Sequence, residues 1–477
     1  MQFPQQSMPI EKVIVGASGS ELLLASKRGT DSNKSNGKLK MKICFLRHGY
    51  FPACPRARKE TSALIENGFP VDVLCIRKPG EKLFERSGNL RIFRIPLEHK
   101  REGIVRYVSE YFVSFLLFNA YLLLLFCINR YRVIQVNTMP DLLIFTTIIP
   151  KLFGSKIVMD IHEPTPELWE TKYGEKKSTM YRFQKSVHRQ AISYATHCIS
   201  TTEKHSKYLQ ELFGIRSKKF TVVENVCDSA YENFASNNPN CRKQDESFNM
   251  IIHGAIEKRY GHEIAIQAIA HLKNEIPEIK LYITGNGAYE TNLKRMVNEL
   301  CLNDSVKFLG FLPKNILLRN IMEADVGLVT MQKSPYSELI ETNKMYEYMA
   351  MQKPIIMSRL EHLARKFGDS CFQFFTPGDF HDFARCVREL YYDEARRKEL
   401  SLNAFNEYKQ LEWEKTKAKY VNTISGLASV SHYPWDNNKQ TGAQNPFTVQ
   451  SASESRSSLP GIVSSKTAVI SQIWTMC

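Results

Sequence analysis

No Cys-x-x-Cys pair occurs among the eleven cysteines of this chain. Their odd number and scattered spacing argue against a disulfide framework and a structural zinc site, so a reducing compartment is expected. Residues Met1 to Lys40 are polar and mixed, without the charged-then-apolar order of a secretory leader, and cytosolic residence is expected over secretion. No Gly-x-Gly-x-x-Gly follows the first strand-like run, Met41-Lys-Ile-Cys-Phe-Leu46. A dinucleotide-dependent dehydrogenase needs that close backbone approach to pyrophosphate, and its absence weakens such a reading. No Asp-x-Asp sequence is there to hold Mg²⁺ or Mn²⁺ against a diphosphate, so neither a metal nor another cofactor is expected. Zinc-finger spacing and an aromatic RNP-like strand are also lacking, and no nucleic-acid partner is expected.

What the chain has is length and alternation. Its 477 residues, 43% hydrophobic and 24% charged, suffice for two domains with separate cores. Asn249-Met-Ile-Ile-His-Gly254 is an apolar run ending in a Gly turn, followed by Lys258, Arg259 and Gly261 and then a helical pattern through Ile264, Ala268 and Ile269. The same strand-turn unit recurs at Ile279-Lys-Leu-Tyr-Ile-Thr-Gly285-Asn-Gly287, at Val306-Lys-Phe-Leu-Gly310 and at Ala324-Asp-Val-Gly-Leu-Val-Thr330. Strands alternating with helices predict a parallel sheet with right-handed crossovers and a ligand crevice at the strands' carboxyl ends. Upstream, Val133-Ile-Gln-Val-Asn137, Lys156-Ile-Val-Met-Asp160 and His197-Cys-Ile-Ser-Thr-Thr202 are predicted strands that end in polar residues. Ser236 to Ser247 is polar and Pro-interrupted, as a linker should be. Glu407 to Ile424 has the pattern of one amphipathic helix with Trp413 and Tyr420. The ends, 1–39 and 430–477, lack sustained periodicity and are expected to be disordered tails.

The segment Glu341-Thr-Asn-Lys-Met-Tyr-Glu-Tyr-Met-Ala-Met-Gln-Lys-Pro-Ile-Ile356 joins a polar helix start to a Lys, a carboxylate and a following strand. Thr342 or Asn343 would cap the helix and aim its first N–H groups at an anion, with the Lys344 ammonium beside them. Glu347, three residues on, projects from a neighbouring position and can accept from sugar hydroxyls. The plainer reading is a capped surface helix that buries Met345, Tyr348 and Met349.

A net charge of +15 and a pI near 9.2 raise the question of anionic partners. Arg91, Arg94, Lys100, Arg101 and Arg106 precede an uncharged apolar segment, Tyr111 to Ile128. That context favours lipid headgroups over a merely solvated basic surface. The segment has the length of a bilayer-spanning helix, but predicted strands of one sheet lie on both sides of it. It is therefore expected to form a buried or membrane-facing helix near 108–129.

Taken in order, Arg47-His-Gly-Tyr-Phe-Pro52 with Arg56 and Arg58, Met159-Asp-Ile-His-Glu163, Val223-Glu-Asn-Val-Cys-Asp228, His253-Gly254 with Arg259, Gly285-Asn-Gly287, and the Lys344/Glu347 segment make the chain resemble the family-four glycosyltransferases from about Met41 to Tyr420. The resemblance implies an α/β GT-B fold, with two Rossmann-like domains whose parallel sheets face a cleft. The acceptor domain would span 40–235 and the nucleotide-sugar domain 248–405, joined by linker 236–247, with 406–429 a helix returning to the first domain. It also implies transfer of a sugar from a nucleotide donor, with retention; together with the basic, apolar segment, the acceptor is expected to be a glycan or lipid-linked molecule at the cytoplasmic face of an anionic membrane, in cell-surface polysaccharide or glycolipid synthesis. A nucleotide-sugar epimerase of the same fold and a non-catalytic membrane-associated scaffold are the alternatives.

By that resemblance His162 touches the donor sugar, as base or binder, and Glu163 orients an acceptor or holds the imidazole in one tautomer. Arg259 and Lys344 neutralise the departing phosphate, with Lys258 as a neighbour, and Glu347 binds the ribose. Gly254, Gly285, Phe311 and Asn343 belong to the donor side, and Arg56 and Arg58 to the acceptor side. The chain departs from the family in three places. Tyr260 stands where a basic residue precedes Gly261, Ala255 follows Gly254, and Leu339 takes the place of the earlier of two paired glutamates, with Glu338 and Glu341 flanking it.

Overall fold

The computed structural model describes residues 41–97, 104–174, 179–238, 241 and 246–429. The expected tails lie outside these residues, as do 239–240 and 242–245 of the expected linker.

Apolar runs bounded by glycine or polar residues become the strands of two sheets. The first holds β1 (Ile43–Tyr50), β2 (Val71–Ile76), β3 (Phe84–Ser87), β4 (Leu90–Ile95), β5 (Val133–Asn137), β6 (Lys156–Ile161), β7 (His197–Ser200) and β8 (Phe220–Val222), in the order β3-β4-β2-β1-β5-β6-β7-β8. The second holds β9 (Phe248–His253), β10 (Ile279–Thr284), β11 (Val306–Gly310), β12 (Val326–Val329), β13 (Ile355–Ser358) and β14 (Gln373–Phe375), in the order β11-β10-β9-β12-β13-β14. Pairing is parallel except in the β3–β4 hairpin, where Phe84 faces Phe93. Strand order reverses direction beside β1 in the first sheet and beside β9 in the second. Such switch points open a crevice at the carboxyl ends of the strands. In the first sheet the register brings Arg47 beside Asn137, and Asn137 beside Asp160, at that edge.

Helices cover both faces of each sheet, as continuous apolar strands require. One core of the second sheet joins β9 and β10 to the helices His262–Leu272 and Phe380–Tyr392 through residues such as Ile252, Ile266, Ile283 and Val387. The other packs Met345, Tyr348 and Met349 of helix Asn343–Ala350 beneath β12 and β13. Gly327 makes that contact possible, because a Cβ there would lie 2.6 Å from the Tyr348 ring.

Two expectations need correction. The single helix expected over Glu407–Ile424 is two helices, Glu394–Leu411 and Trp413–Ser429, separated where Glu412 takes an extended ψ of 153°. The break lets each serve a different sheet: Ala404 and Tyr408 join the core of the second, and Tyr420, Val421 and Ile424 join that of the first. Two members of the basic cluster before the apolar segment, Arg91 and Arg94, are not free surface either. Arg91 donates to Asp72 at 2.7 Å, and Arg94 is buried between Glu81 at 3.1 Å and Glu85 at 2.7 Å. Both belong to β4, whose Leu90, Ile92 and Ile95 are core residues. Lys100 and Arg101 lie outside the described residues, and Arg106 has no described side chain.

The apolar segment is part of the helix Ile104–Asn129, which links β4 to β5. Tyr111–Asn129 is long and apolar enough to cross a bilayer. Instead, Phe118, Leu122, Leu125 and Phe126 pack onto the first sheet with Leu46, Leu74 and Ile134.

Candidate functional site

The helix Asn343–Ala350 starts at Thr342, whose extended backbone makes it the N-cap, yet its side chain forms no capping bond. Thr342 Oγ1 is buried without a hydrogen-bond partner among the described residues, which leaves the first-turn N–H groups uncontested by the capping side chain. The helix is fixed by its apolar side and by Tyr348, whose hydroxyl donates to the Ile251 carbonyl at 2.9 Å. Lys344 and Glu347 are thereby held at the crevice.

Burial pushes the Lys344 ammonium down to about 8, against the pull of Glu347. Its Nζ sits 4.0 Å above the Tyr260 ring, an attraction that partly replaces lost hydration. Glycine is required at 254 because a Cβ would come within 3.0 Å of Lys344 Cε, and because its φ is +105°. Burial also raises the Glu347 carboxyl to about 7, while Tyr231 and Lys344 draw it back. His253 Nε2 is 3.1 Å from Glu347 Oε2, but the two are out of hydrogen-bond alignment and the nitrogen has no partner among the described residues. Burial lowers His253 to about 3, so the ring is neutral.

Across the crevice, His162 follows β6. Its Nε2 lies 2.6 Å from Asp160 Oδ2, and its backbone N–H donates to Thr138 Oγ1 at 3.1 Å. Asp160 also accepts from Arg56 Nη2 at 2.9 Å and from Asn137 Nδ2 at 2.8 Å. Burial alone would raise the Asp160 carboxyl, but Arg56 and His162 outweigh it and hold the group well below the carboxylate range. An ionised carboxylate only accepts, so Nε2 carries the proton and Nδ1 is the ring's acceptor. Burial lowers the His162 pKa too. Next to it, Glu163 Oε2 accepts from the Tyr336 hydroxyl at 2.7 Å, and burial raises its carboxyl.

These groups enclose a cavity of about 290 Å³, walled by His162, Glu163, Tyr260, Tyr336, Lys344 and Glu347, with Gly254 and Asn343 also at its surface. Past Asn343 and Glu347 it meets a larger space of about 860 Å³ that reaches Arg58, Asp228, Phe311 and Lys314. There Asp228 pairs with Arg58 at 3.1 Å and with Lys314 at 2.9 Å, and Phe311 is 78% exposed.

Of the residues singled out from sequence, His162, Glu163, Gly254, Asn343, Lys344 and Glu347 converge on the smaller chamber, and Arg58 and Phe311 on the larger. Arg56 does not reach either. It is buried, bonded to Asp160, 3.1 Å from Glu60 and donating to the Val223 carbonyl at 2.9 Å; the interior carboxylate of Asp160 needs that cation. Lys258 is exposed and lines neither cavity. The Arg259 guanidinium packs over the rings of Tyr260 at 4.8 Å and Tyr336 at 5.8 Å, behind the two tyrosines at the cavity wall, and lines neither cavity. Gly285 supports the turn at Gly254, for a Cβ there would fall 1.8 Å from the Gly254 carbonyl oxygen.

Leu339 is buried, and its carbonyl accepts from Thr202 Oγ1 at 2.8 Å. Glu341 borders the smaller chamber with its carboxylate on Lys366 at 2.9 Å, whereas Glu338 is held by Lys204 and His362. Sequence reasoning missed Tyr231, Tyr336 and the role of Tyr260. The only available signal was the basic turn around Tyr260.

The family described as Glycosyltransferase Family 4 matches residues 57–231, and the one described as Glycosyl transferases group 1 matches residues 235–407. The chain belongs to the family-four type of glycosyltransferases. An uncharacterized glycosyltransferase of Methanocaldococcus jannaschii is 28% identical over 122 residues, which is 24% of this chain and 30% of that protein. Among solved structures, sucrose-phosphate synthase from Thermosynechococcus elongatus aligns with a TM-score of 0.67 at 18% identity, over 82% of this glycosyltransferase and 100% of that chain. Anabaena HepE in complex with UDP-glucose aligns with a TM-score of 0.59 at 15% identity, over 81% and 100%. At these identities the structural likeness shows the fold alone, and that fold is GT-B.

Proposed function

We propose that the chain transfers a sugar from a nucleotide-sugar donor to a glycan or lipid-linked acceptor, with retention of anomeric configuration, at the cytoplasmic face of a membrane. The observation that carries this reading is the placement of Lys344 and an uncontested helix N-terminus in one chamber with His162. A diphosphate at that helix end gains backbone N–H donors and the Lys344 cation. Both stabilise the negative charge that grows on the departing phosphate, and Arg259 adds to the field from behind Tyr260 and Tyr336. No metal has a part in this scheme. Glu347 receives the ribose hydroxyls, and the exposed Phe311 ring offers a face for the base. His162 Nδ1 accepts from a donor-sugar hydroxyl. No carboxylate pair of the glycosidase kind is assigned to a covalent intermediate, so attack occurs on the face the leaving group vacates, and alignment supplies the remaining rate.

The test is thermal stabilisation of the purified chain by UDP, GDP, ADP and CDP, with Lys344→Ala and Glu347→Ala beside it. UDP comes first because HepE is described in complex with UDP-glucose. Ligand that binds only the native state raises its stability. A rise with one nucleotide, lost in both variants, supports the reading. A folded protein that responds to none of the four overturns it and favours a scaffold.

A further inference from the structure

The helix Ile104–Asn129 buries one side and leaves the other bare. Phe112, Leu116, Ala120, Leu124 and Ile128 recur every fourth residue and are all exposed, with Phe112 at 62% and Ile128 at 77%. At about 1.5 Å per residue the row is ~24 Å long. The adjoining helix Ile148–Leu152 extends it sideways: Leu152 is 79% exposed, and Phe153 packs its ring 6.2 Å from Phe126. An apolar surface of this extent is rarely left to water by a soluble monomer.

Charge decides what covers it. From Tyr111 to Met159 the only carboxylate is Asp141, which is buried against His188 at 2.8 Å. The same stretch carries Arg130, exposed directly beyond Ile128, and the half-buried Arg132, Lys151 and Lys156, with the Lys151 ammonium 3.8 Å above the Tyr194 ring. A second copy packed with its helix parallel to this one would set these like charges side by side. An anionic lipid surface complements both the apolar row and the cations beside its Ile128 end.

The row also leads to the cleft. His48, near the end of β1, stacks on Tyr111 with ring centroids 4.9 Å apart, and its Nε2 lies 3.0 Å from Ser114 Oγ. The residue before it, Arg47, is in register with Asn137, whose amide is 2.9 Å from His162 Nε2. We propose that the exposed face of helix Ile104–Asn129, with Leu152 and Phe153, docks on an anionic lipid leaflet, so that the Tyr111 end brings the acceptor side of the cleft to the membrane surface. A lipid-linked acceptor then has a short path to His162. The inference deepens the transferase reading and rests on it only for that acceptor.

The experiment is co-sedimentation of the full chain with vesicles of phosphatidylglycerol and phosphatidylcholine, and with phosphatidylcholine alone. It is repeated with the double variant Leu116→Glu/Leu124→Glu, whose positions are solvent-facing and whose melting temperature is expected to equal that of the unsubstituted chain. The expected result is binding at least tenfold stronger to the anionic vesicles than to the neutral ones, reduced at least tenfold in the variant. No binding by the unsubstituted chain, or equal binding by the variant, overturns the proposal. A dimer that the variant converts to a monomer, without vesicle binding, overturns it in favour of a second copy. Nucleotide stabilisation read on the same samples separates the two ideas. A UDP response without vesicle binding sinks only the docking surface, and vesicle binding with no nucleotide response sinks only the transferase.

Discussion

Asp160 Oδ2 lies 2.6 Å from His162 Nε2, and the same carboxylate is clasped from the interior by Arg56. One anion therefore ties a buried cation to the imidazole that faces the smaller chamber. In Asp160→Asn the amide can donate as well as accept, so the ring is free to carry its proton on Nδ1 and lose its acceptor toward the cavity. Turnover should fall ~10²-fold or more, while the nucleotide dissociation constant, read by calorimetry, changes little. An equal loss of nucleotide binding would mean that Asp160 merely holds the fold.

The pH dependence of nucleotide binding should reveal Lys344. Burial lowers its ammonium to about 8, and a bound diphosphate must raise it again. Below pH 8 the cation is already in place and Lys344 adds no pH dependence of its own. Above pH 8 each binding event takes up a proton, and affinity falls by up to about tenfold per pH unit. Calorimetric titrations in buffers of different ionisation heat would count that proton. In Lys344→Arg the cation persists to higher pH, and the decline above 8 should vanish even if binding is weaker throughout.

Glu347 makes the empty protein less stable at high pH. Its folded-state carboxyl is raised by burial to about 7 from an ordinary 4.5. Between these values the folded form binds more protons than the unfolded form, so stability falls as pH rises from 4.5 to 7 and the loss is complete above 7. The penalty is on the order of 3 kcal/mol if the whole shift is expressed. Glu347→Gln removes the charge that must be desolvated. Its melting temperature should exceed that of the unsubstituted chain above pH 7 and approach it near pH 4.5, with stabilisation by nucleotide lost. A melting temperature lower at every pH would show that Glu347 is a net structural asset.

Much of the second domain was legible because buried parallel strands are unbroken apolar runs. Asn249 to His253 stops at Gly254, and the crevice residues follow at once. The first domain hid more. The strand Leu90–Ile95 carries Arg91 and Arg94, whose partners Asp72, Glu81 and Glu85 belong to other segments, so its arginines suggested a basic surface. Arg56 and Arg58 are two residues apart on the helix Pro55–Glu66. That spacing turns them to different sides, one into the core and one to the cleft, and nothing local says which. The break at Glu412 was invisible because Leu411, Glu412, Trp413 and Glu414 are all compatible with helix; the need to reach a second sheet interrupts it. Tyr231 and Tyr336 join the site only through tertiary contacts, with Glu347 and Glu163.

The helix Trp413–Ser429 has a consequence for the order in which the chain matures. The Tyr420 hydroxyl donates to Gln135 Oε1 at 2.8 Å, and Gln135 Nε2 donates to Glu60 at 2.7 Å, in the layer that Val421 and Ile424 close. While the polypeptide is being synthesised, the first-made half must wait, with this polar pair uncovered, until the helix Trp413–Ser429 leaves the ribosome. Domains usually complete themselves in the order of their synthesis. Here the second sheet can consolidate before the first is sealed, and a ribosome that stalls shortly before Tyr420 would release a chain with a finished second sheet and an open first one.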